Sequence, residues 1–98
     1  MTVFAVRYTY DARTDLQAEI RPEHRAYLRG LAEQGAVLGS GPFVGGAPGA
    51  LLVFSAAHRE ALDAMLAGDP FAAAGVIAET DVREWAPGVG PWAEGLAG

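Results

Sequence analysis

The stretch GDPFAAAG at residues 68–75 is the segment around which we expect the fold to be organised, because it stops one helix and starts another at once. Gly68 is predicted to adopt the left-handed conformation that ends a helix. Asp69 suits the N-cap of a new short helix, and Pro70 suits its first position. Gly75 is predicted to end this short helix, and an apolar run follows it. The pattern therefore holds the Asp69 carboxylate at a bend, where its second oxygen can contact another residue.

The sequence on either side of this stretch predicts a β-α-β-β-α-β order. Alternating apolar and polar residues indicate strands, and apolar residues three or four apart indicate helices. The predicted elements are, in order, a strand at 2–10, a polar connection at 11–20, a helix beginning at Pro22 and ending at Gly35, a strand at 36–43, a turn at 44–49, a strand at 50–54, a helix capped by Ser55, and a strand at 76–85. This order predicts an α+β fold of the ferredoxin-like kind, with a four-stranded antiparallel sheet and two helices on one face.

The opposite face of that sheet carries more apolar residues than a soluble monomer usually exposes. We therefore expect a homodimer that pairs sheet to sheet, and a monomer that covers the face with its own C-terminal tail is the competing interpretation. The 98 residues are expected to form one domain, with a core at 2–85 and a Pro- and Gly-rich tail at 86–98. Trp92 is the large apolar anchor in that tail.

Composition narrows the classes of function. The formal net charge is −5, which argues against nucleic acids and anionic membranes as partners, since both require a basic patch. The chain has no cysteine and no lysine, so disulfides, thiolate nucleophiles and Schiff bases are excluded. Its apolar runs are far shorter than the ~20 residues that span a bilayer, and no export signal is recognisable. We therefore expect a cytoplasmic protein.

Two histidines are available for chemistry. His58 lies at the start of the second helix and is expected to face solvent. His24 lies on the inward face of the first helix, near its predicted start, whereas Arg25 and Arg29 lie on the other side, toward water. The pattern alone leaves two possibilities for His24, a core histidine satisfied by one hydrogen bond or a residue with a catalytic role. Asp69 is likewise either a helix cap and nothing more, or the partner of His24.

Three segments resemble, in order and spacing, the motifs of the YCII-related (YciI-like) family. They are RPEHRAYL at 21–28, GAVLGSGP at 35–42 and DPFAAAG at 69–75. The resemblance covers residues 2–85. It implies a dimeric α/β barrel with an active site centred on a His–Asp pair, and that pair falls on His24 and Asp69 in this sequence.

The resemblance also implies a kind of reaction. Similar proteins include a dehydrochlorinase, and the barrel is shared with muconolactone isomerases, so we expect cofactor-free elimination or isomerisation of a small organic molecule. His24 is then the general acid or base, and Asp69 orients it. Two other functions stay open. One is a non-catalytic ligand-binding or accessory module that uses the same pocket, and the other is cofactor-independent oxygenation.

Three further residues are candidates for substrate binding. Ser40 lies in a Gly-rich strand segment that a ligand can approach, Arg7 can hold a substrate carboxylate, and Phe71 can line the pocket. Arg7 is equally well explained as a solvated strand end, and Phe71 as a core aromatic. Nothing around Ser40 resembles a nucleophile elbow. The His–Asp pair falls short of a metal-ligand set and no dinucleotide fingerprint is present, so we expect neither a metal nor a cofactor.

Overall fold

The structure, a computed structural model, describes residues 1–96, with side chains through residue 93. Its elements are β1 (Thr2–Tyr10), α1 (Thr14–Glu33), β2 (Val37–Pro42), β3 (Gly49–Ala56), α2 (Arg59–Ala67), α3 (Pro70–Ala74), β4 (Ile77–Glu84) and α4 (Pro91–Leu96). None of the helices within residues 1–96 combines the length and the apolar character needed to cross a membrane.

The four strands form one sheet in the order β2-β3-β1-β4, and each neighbouring pair is antiparallel. Val6, at the middle of β1, lies between Leu52 of β3 and Val82 of β4. The connections through α1 and α2 place the last strand beside the first, which is the ferredoxin-like arrangement. The predicted fold class is therefore confirmed.

The core lies between the helices and one face of the sheet. Large side chains of the two central strands occupy it, and they are closed off by Leu28 of α1 and Leu62 of α2. The largest of these strand residues, each 2% exposed or less, are Phe4, Val6, Tyr8, Leu52 and Phe54. Burying a side chain of this size stabilises the fold by about 1.5–3 kcal/mol. The strands β1 and β3 are thus the fixed platform on which α1 and α3 are placed.

The first helix begins earlier than the sequence predicts. Only residues 11–13 form the connection predicted for 11–20, because α1 starts at Thr14, with Asp15 in its first turn, and continues through Pro22. Pro22 lacks the amide that would bond the carbonyl of residue 18, but residue 18 is exposed, where water can satisfy that carbonyl. Inward-facing residues continue at helical spacing before the proline, including the buried Gln17. His24 consequently lies about three turns into the helix and not in its first turn.

The second helix has a different cap from the one predicted. Ser55 is a buried residue of β3, and its amide donates to the carbonyl of Ala36, 2.8 Å away. The N-cap is His58, whose Nδ1 accepts from the amide of Ala61 at 3.1 Å. The strand simply runs further than expected, because the residues after Phe54 are small enough to be buried in it.

Gly68 does not adopt the predicted left-handed conformation. Its φ is −79°, in the right-handed region, and it is Gly75 that has the left-handed φ of 72°. Gly68 is required for space, because a Cβ there would lie 2.6 Å from the Tyr27 hydroxyl, which donates to the carbonyl of Met65. The expected end of one helix and start of the next are present, with Pro70 in the first turn of α3.

The tail folds back over its own sheet. Trp92 of α4 lies edge-on to Trp85, with ring centroids 6.1 Å apart, and its ring is 3.5 Å from the position that a Cβ at Gly39 would occupy. Val53, beneath this region, is buried, but Leu51 is 42% exposed and Trp85 is 44% exposed. The tail therefore covers part of the apolar face and leaves part of it open.

Candidate functional site

His24 and Asp69 meet in the interior. Nδ1 of His24 lies 2.7 Å from Oδ1 and 2.9 Å from Oδ2 of Asp69. The two residues are 6% and 1% exposed. Oδ1 also accepts from the amide of Phe71 at 2.9 Å, so the same oxygen caps α3 and faces the imidazole. The cap and the contact with His24 are therefore combined in one carboxylate.

Tyr8 completes the surroundings of this carboxylate. Its hydroxyl donates to Oδ2 of Asp69 at 3.4 Å, across a sequence separation of 61 residues. Burial is the main reason that the pKa of Tyr8 is raised well above its usual range, and the negative charge of Asp69 adds to the rise. The pKa of Tyr27 is raised for the same two reasons. Tyr8 therefore remains protonated and serves as a hydrogen-bond donor to Asp69.

Aromatic contacts fix the plane of the imidazole. Phe71 stacks on the His24 ring, with centroids 4.0 Å apart and planes 10° from parallel. Tyr10 meets Phe71 edge to face at 5.3 Å. Because Phe71 follows Asp69 by two residues, α3 supplies both the partner of Nδ1 and the surface against which the ring lies. The short helix thus determines both the hydrogen bond and the orientation of His24.

The second nitrogen of His24 faces a cleft. Nδ1 is occupied by Asp69, and Nε2 has no hydrogen-bond partner among the described residues. Within that part of the chain no fully buried side-chain nitrogen or oxygen lacks a partner, so Nε2 must be accessible. His24 lines a cleft of about 450 Å³ between α1 and β2. A proton can therefore move between Nε2 and a molecule in this cleft.

The predicted site residues are divided between the two faces of the sheet. Ser40 and Phe71 line the same cleft as His24. Arg7 does not, because alternate residues of a strand point to opposite faces and Tyr8 is the one that points toward Asp69. Arg7 instead lies 3.6 Å from Asp81, and both side chains are largely exposed.

Some residues of the site were not identified as such from the sequence. Tyr8 is one of them, because a tyrosine on the inward face of a strand is equally typical of a core aromatic. Arg25 and Arg29 were expected to face water, and both are exposed, yet they also line the cleft together with Arg21. Their spacing of four residues is the signal that places them on one stripe of α1, but only the position of β2 shows that this stripe borders a cleft.

The described side chains do not form a cluster of metal-binding ligands. In the portion of the chain that the structure describes, no three His, Cys, Asp or Glu side chains come together as a metal site would require.

The fold and the site together define a ferredoxin-like α+β domain in which a buried His–Asp pair opens onto a cleft. The sequence matches the YCII-related domain over residues 1–86, and the chain belongs to that family. The resemblance of its motifs is thereby confirmed. No curated protein gives a significant match to the sequence.

One similar solved structure is the 5-chloro-2-hydroxyhydroquinone dehydrochlorinase of Burkholderia phenoliruptrix AC1100, in complex with 2,5-dihydroxybenzoquinone. The TM-score is 0.76, the sequence identity is 23%, and the match covers 85% of this chain and 92% of that one. At this identity the likeness shows the shared fold.

Proposed function

We propose that this chain is a small cofactor-free enzyme in which His24 transfers a proton through Nε2 and Asp69 orients the imidazole. The observation that carries the proposal is the buried contact of 2.7 Å between Nδ1 and Asp69, combined with an Nε2 that faces the cleft. A carboxylate that accepts a hydrogen bond from Nδ1 selects the tautomer whose Nε2 carries a lone pair. That nitrogen is then a general base.

Proton transfer in this arrangement needs no movement of the protein. When Nε2 takes a proton from the substrate, the imidazolium that forms is stabilised by the neighbouring Asp69 carboxylate. In an elimination, the electron pair left by that proton forms a double bond as the leaving group departs with its own pair. In an isomerisation, Nε2 returns the proton to a different atom of the substrate. A positioned acid or base of this kind contributes a factor of about 10²–10⁴ to the rate.

The cleft limits the substrate to a small molecule. Its volume of about 450 Å³ accommodates one ring with a few substituents. Phe71 provides an apolar surface beside His24, and the Ser40 hydroxyl, on the opposite wall, is placed to bind a polar substituent. The dehydrochlorinase of the same fold is named for an elimination of this class, which supports the proposal by analogy. Arg7 does not enter it, because Arg7 lies on the other face of the sheet.

We further propose that the open part of the apolar face pairs with a second copy, sheet to sheet. Leu51 and Trp85 lie on this face and Phe43 at its margin, and each is more than 40% exposed. Light scattering at micromolar concentration should show twice the monomer mass, and Leu51→Glu should shift the species to a monomer, whereas Glu60→Gln, on an exposed position of α2, should not. A wild-type chain that is monomeric at this concentration contradicts the pairing.

The enzymatic proposal is tested with 5-chloro-2-hydroxyhydroquinone and measurement of released chloride. Asp69→Asn and His24→Asn should each lower the rate by about a hundredfold or more, since either change removes the oriented base. Glu79→Gln, outside the cleft, serves as the matched control. The alternative, a ligand-binding module, would be favoured if 2,5-dihydroxybenzoquinone binds in the cleft but neither 5-chloro-2-hydroxyhydroquinone nor related halogenated phenols are turned over.

A further inference from the structure

The cleft beside His24 is bordered by a row of positive charge. Arg21, Arg25 and Arg29 follow one another at intervals of four residues on α1, and all three line the cleft. Residues at this spacing lie one above another on the same side of a helix. The lining contains no Asp or Glu, and Asp69 is shielded behind His24.

The charges of this arginine row are not neutralised by neighbouring carboxylates. Among the described residues, none of the three arginines forms an ion pair, although the chain as a whole has a net charge of −5. Like charges four residues apart also destabilise a helix. A row of one sign beside a cleft therefore differs from the alternating charges that are typical of a solvent-exposed helix face.

Arg21 and Tyr10 line the same cleft. Burial raises the pKa of Tyr10, Asp69 raises it further, and Arg21 acts in the opposite direction. The guanidinium of Arg21 is therefore close enough to influence a hydroxyl of the cleft wall. Much of the remaining cleft lining is apolar and includes Leu28, Leu52 and Phe71. A ligand that suits both features has an apolar ring and a negative group.

We propose that Arg21, Arg25 and Arg29 form the anion-binding part of the cleft, and that the ligand is a small aromatic or quinonoid molecule bearing a carboxylate or an ionised hydroxyl. The planar guanidinium groups suit such oxygens, because each can donate two parallel hydrogen bonds. With the anionic group on the arginine row, the ring lies on Phe71 and the opposite side of the molecule faces Nε2 of His24. This assignment rests on the proposed function for the role of His24, but the binding of anions does not require that role.

The test compares benzoate with benzamide, which has nearly the same shape and no charge. Binding is followed by backbone amide NMR and by calorimetry. Benzoate should shift the amides of α1 and β2 and bind at least about tenfold more tightly than benzamide. Arg21→Gln, Arg25→Gln and Arg29→Gln should each weaken benzoate by roughly threefold to tenfold and leave benzamide unchanged. Arg25→Lys should retain part of the affinity, because it keeps the charge and loses the planar fork.

Arg59→Gln is the matched control, since it removes the same charge from an arginine that pairs with Asp63 and does not line the cleft. It should leave benzoate binding unchanged. Circular dichroism should show that the row variants keep their helix, as the substitutions relieve like-charge repulsion. Equal affinities for benzoate and benzamide, an absence of shifts in the cleft, or an equal loss in Arg59→Gln would each overturn the inference.

A further variant separates this inference from the proposed function. His24→Asn should abolish turnover and retain benzoate binding, because the row remains intact. Turnover that survives in His24→Asn refutes the proposed function and leaves the anion site standing. Turnover that depends on His24 while the arginine variants change neither KM nor benzoate affinity refutes the anion site alone.

Discussion

Substitution of Asp69 by asparagine and by alanine should have clearly different consequences. Asparagine is as good an N-cap as aspartate, so its carbonyl oxygen can still accept from the Phe71 amide. Its amide nitrogen, however, is a donor and takes the position of Oδ2, which lies 2.9 Å from Nδ1 of His24, where we expect it to donate to that nitrogen. Nδ1 then becomes the acceptor, and the proton moves to Nε2. Asp69→Asn is therefore expected to invert the tautomer of His24 within an intact fold.

The magnitudes follow from the contacts of Asp69. Alanine removes the cap, at a cost of about 1 kcal/mol, and leaves the buried His24 and Tyr8 donors without an acceptor, at about 1–3 kcal/mol each. We expect Asp69→Ala to lower the free energy of unfolding by about 3–7 kcal/mol in total, which is a large part of the stability of a domain of this size. Asparagine retains the cap and one bond to His24, so its cost should be about 1–2 kcal/mol.

Two measurements separate these outcomes. Urea denaturation gives the free energy of unfolding of each variant. Long-range proton–nitrogen NMR correlations of the His24 ring report which nitrogen carries the proton. The wild type should show a protonated Nδ1 at neutral pH, and Asp69→Asn a protonated Nε2. The wild-type chain, prepared in the same way, is the control.

An unchanged tautomer in Asp69→Asn would contradict the prediction, because the carboxylate would then not determine which nitrogen carries the proton. Equal destabilisation by alanine and asparagine would contradict it as well, since the cap and the unsatisfied donors are what distinguish the two variants.

Three further predictions concern the surroundings of the pair. Gly68→Ala should destabilise the fold by about 1–3 kcal/mol in urea, because the new Cβ meets the Tyr27 hydroxyl, and Tyr27→Phe in the same chain should relieve most of that cost. Because the pKa of Tyr8 is raised in the folded state, the unfolded state loses the phenolic proton first as the pH rises. The contribution of the protonated Tyr8 to the free energy of unfolding is therefore present below about pH 10 and declines above it. The wild type should lose more stability than Tyr8→Phe between about pH 8 and pH 11. Phe71→Leu should cost only about 1 kcal/mol in thermal unfolding yet lower turnover, because it fills most of the space but no longer stacks on His24.

Much of the fold was predictable because its strands follow local patterns. Alternation along β1 and the short connection between β2 and β3 predict the strands, and the β-α-β-β-α-β order of the elements predicts the ferredoxin-like fold. The start of α1 was not predictable in the same way, since Pro22 is a strong local signal for a helix start. A proline is tolerated inside a helix when the carbonyl it leaves free is exposed to water, and that exposure depends on the tertiary structure.

The site was predictable only where a residue type is rare. With two histidines in the chain, His24 could be chosen from its inward position, and the family resemblance indicated Asp69 as its partner. Tyr8 could not be assigned, because a tyrosine on the core face of a strand has the same pattern whether or not its hydroxyl meets a carboxylate. The arginine row was likewise indistinguishable from a solvated face until β2 was in place opposite it.

The corrected start of α1 changes the electrostatics of the proposed base. A histidine in the first turn of a helix lies in the positive field of the helix N-terminus, which disfavours the imidazolium that a base must become. That field declines within the first turn, and His24 lies about three turns from Thr14. The N-terminus of α1 therefore does not oppose the stabilisation of the imidazolium by Asp69, and the opposing charges on this helix are those of the arginine row. The same extension gives Arg21 a helical position, which places all three arginines on one stripe beside the cleft. The two turns before Pro22 thus serve both the proton transfer proposed for His24 and the anion binding proposed for the row.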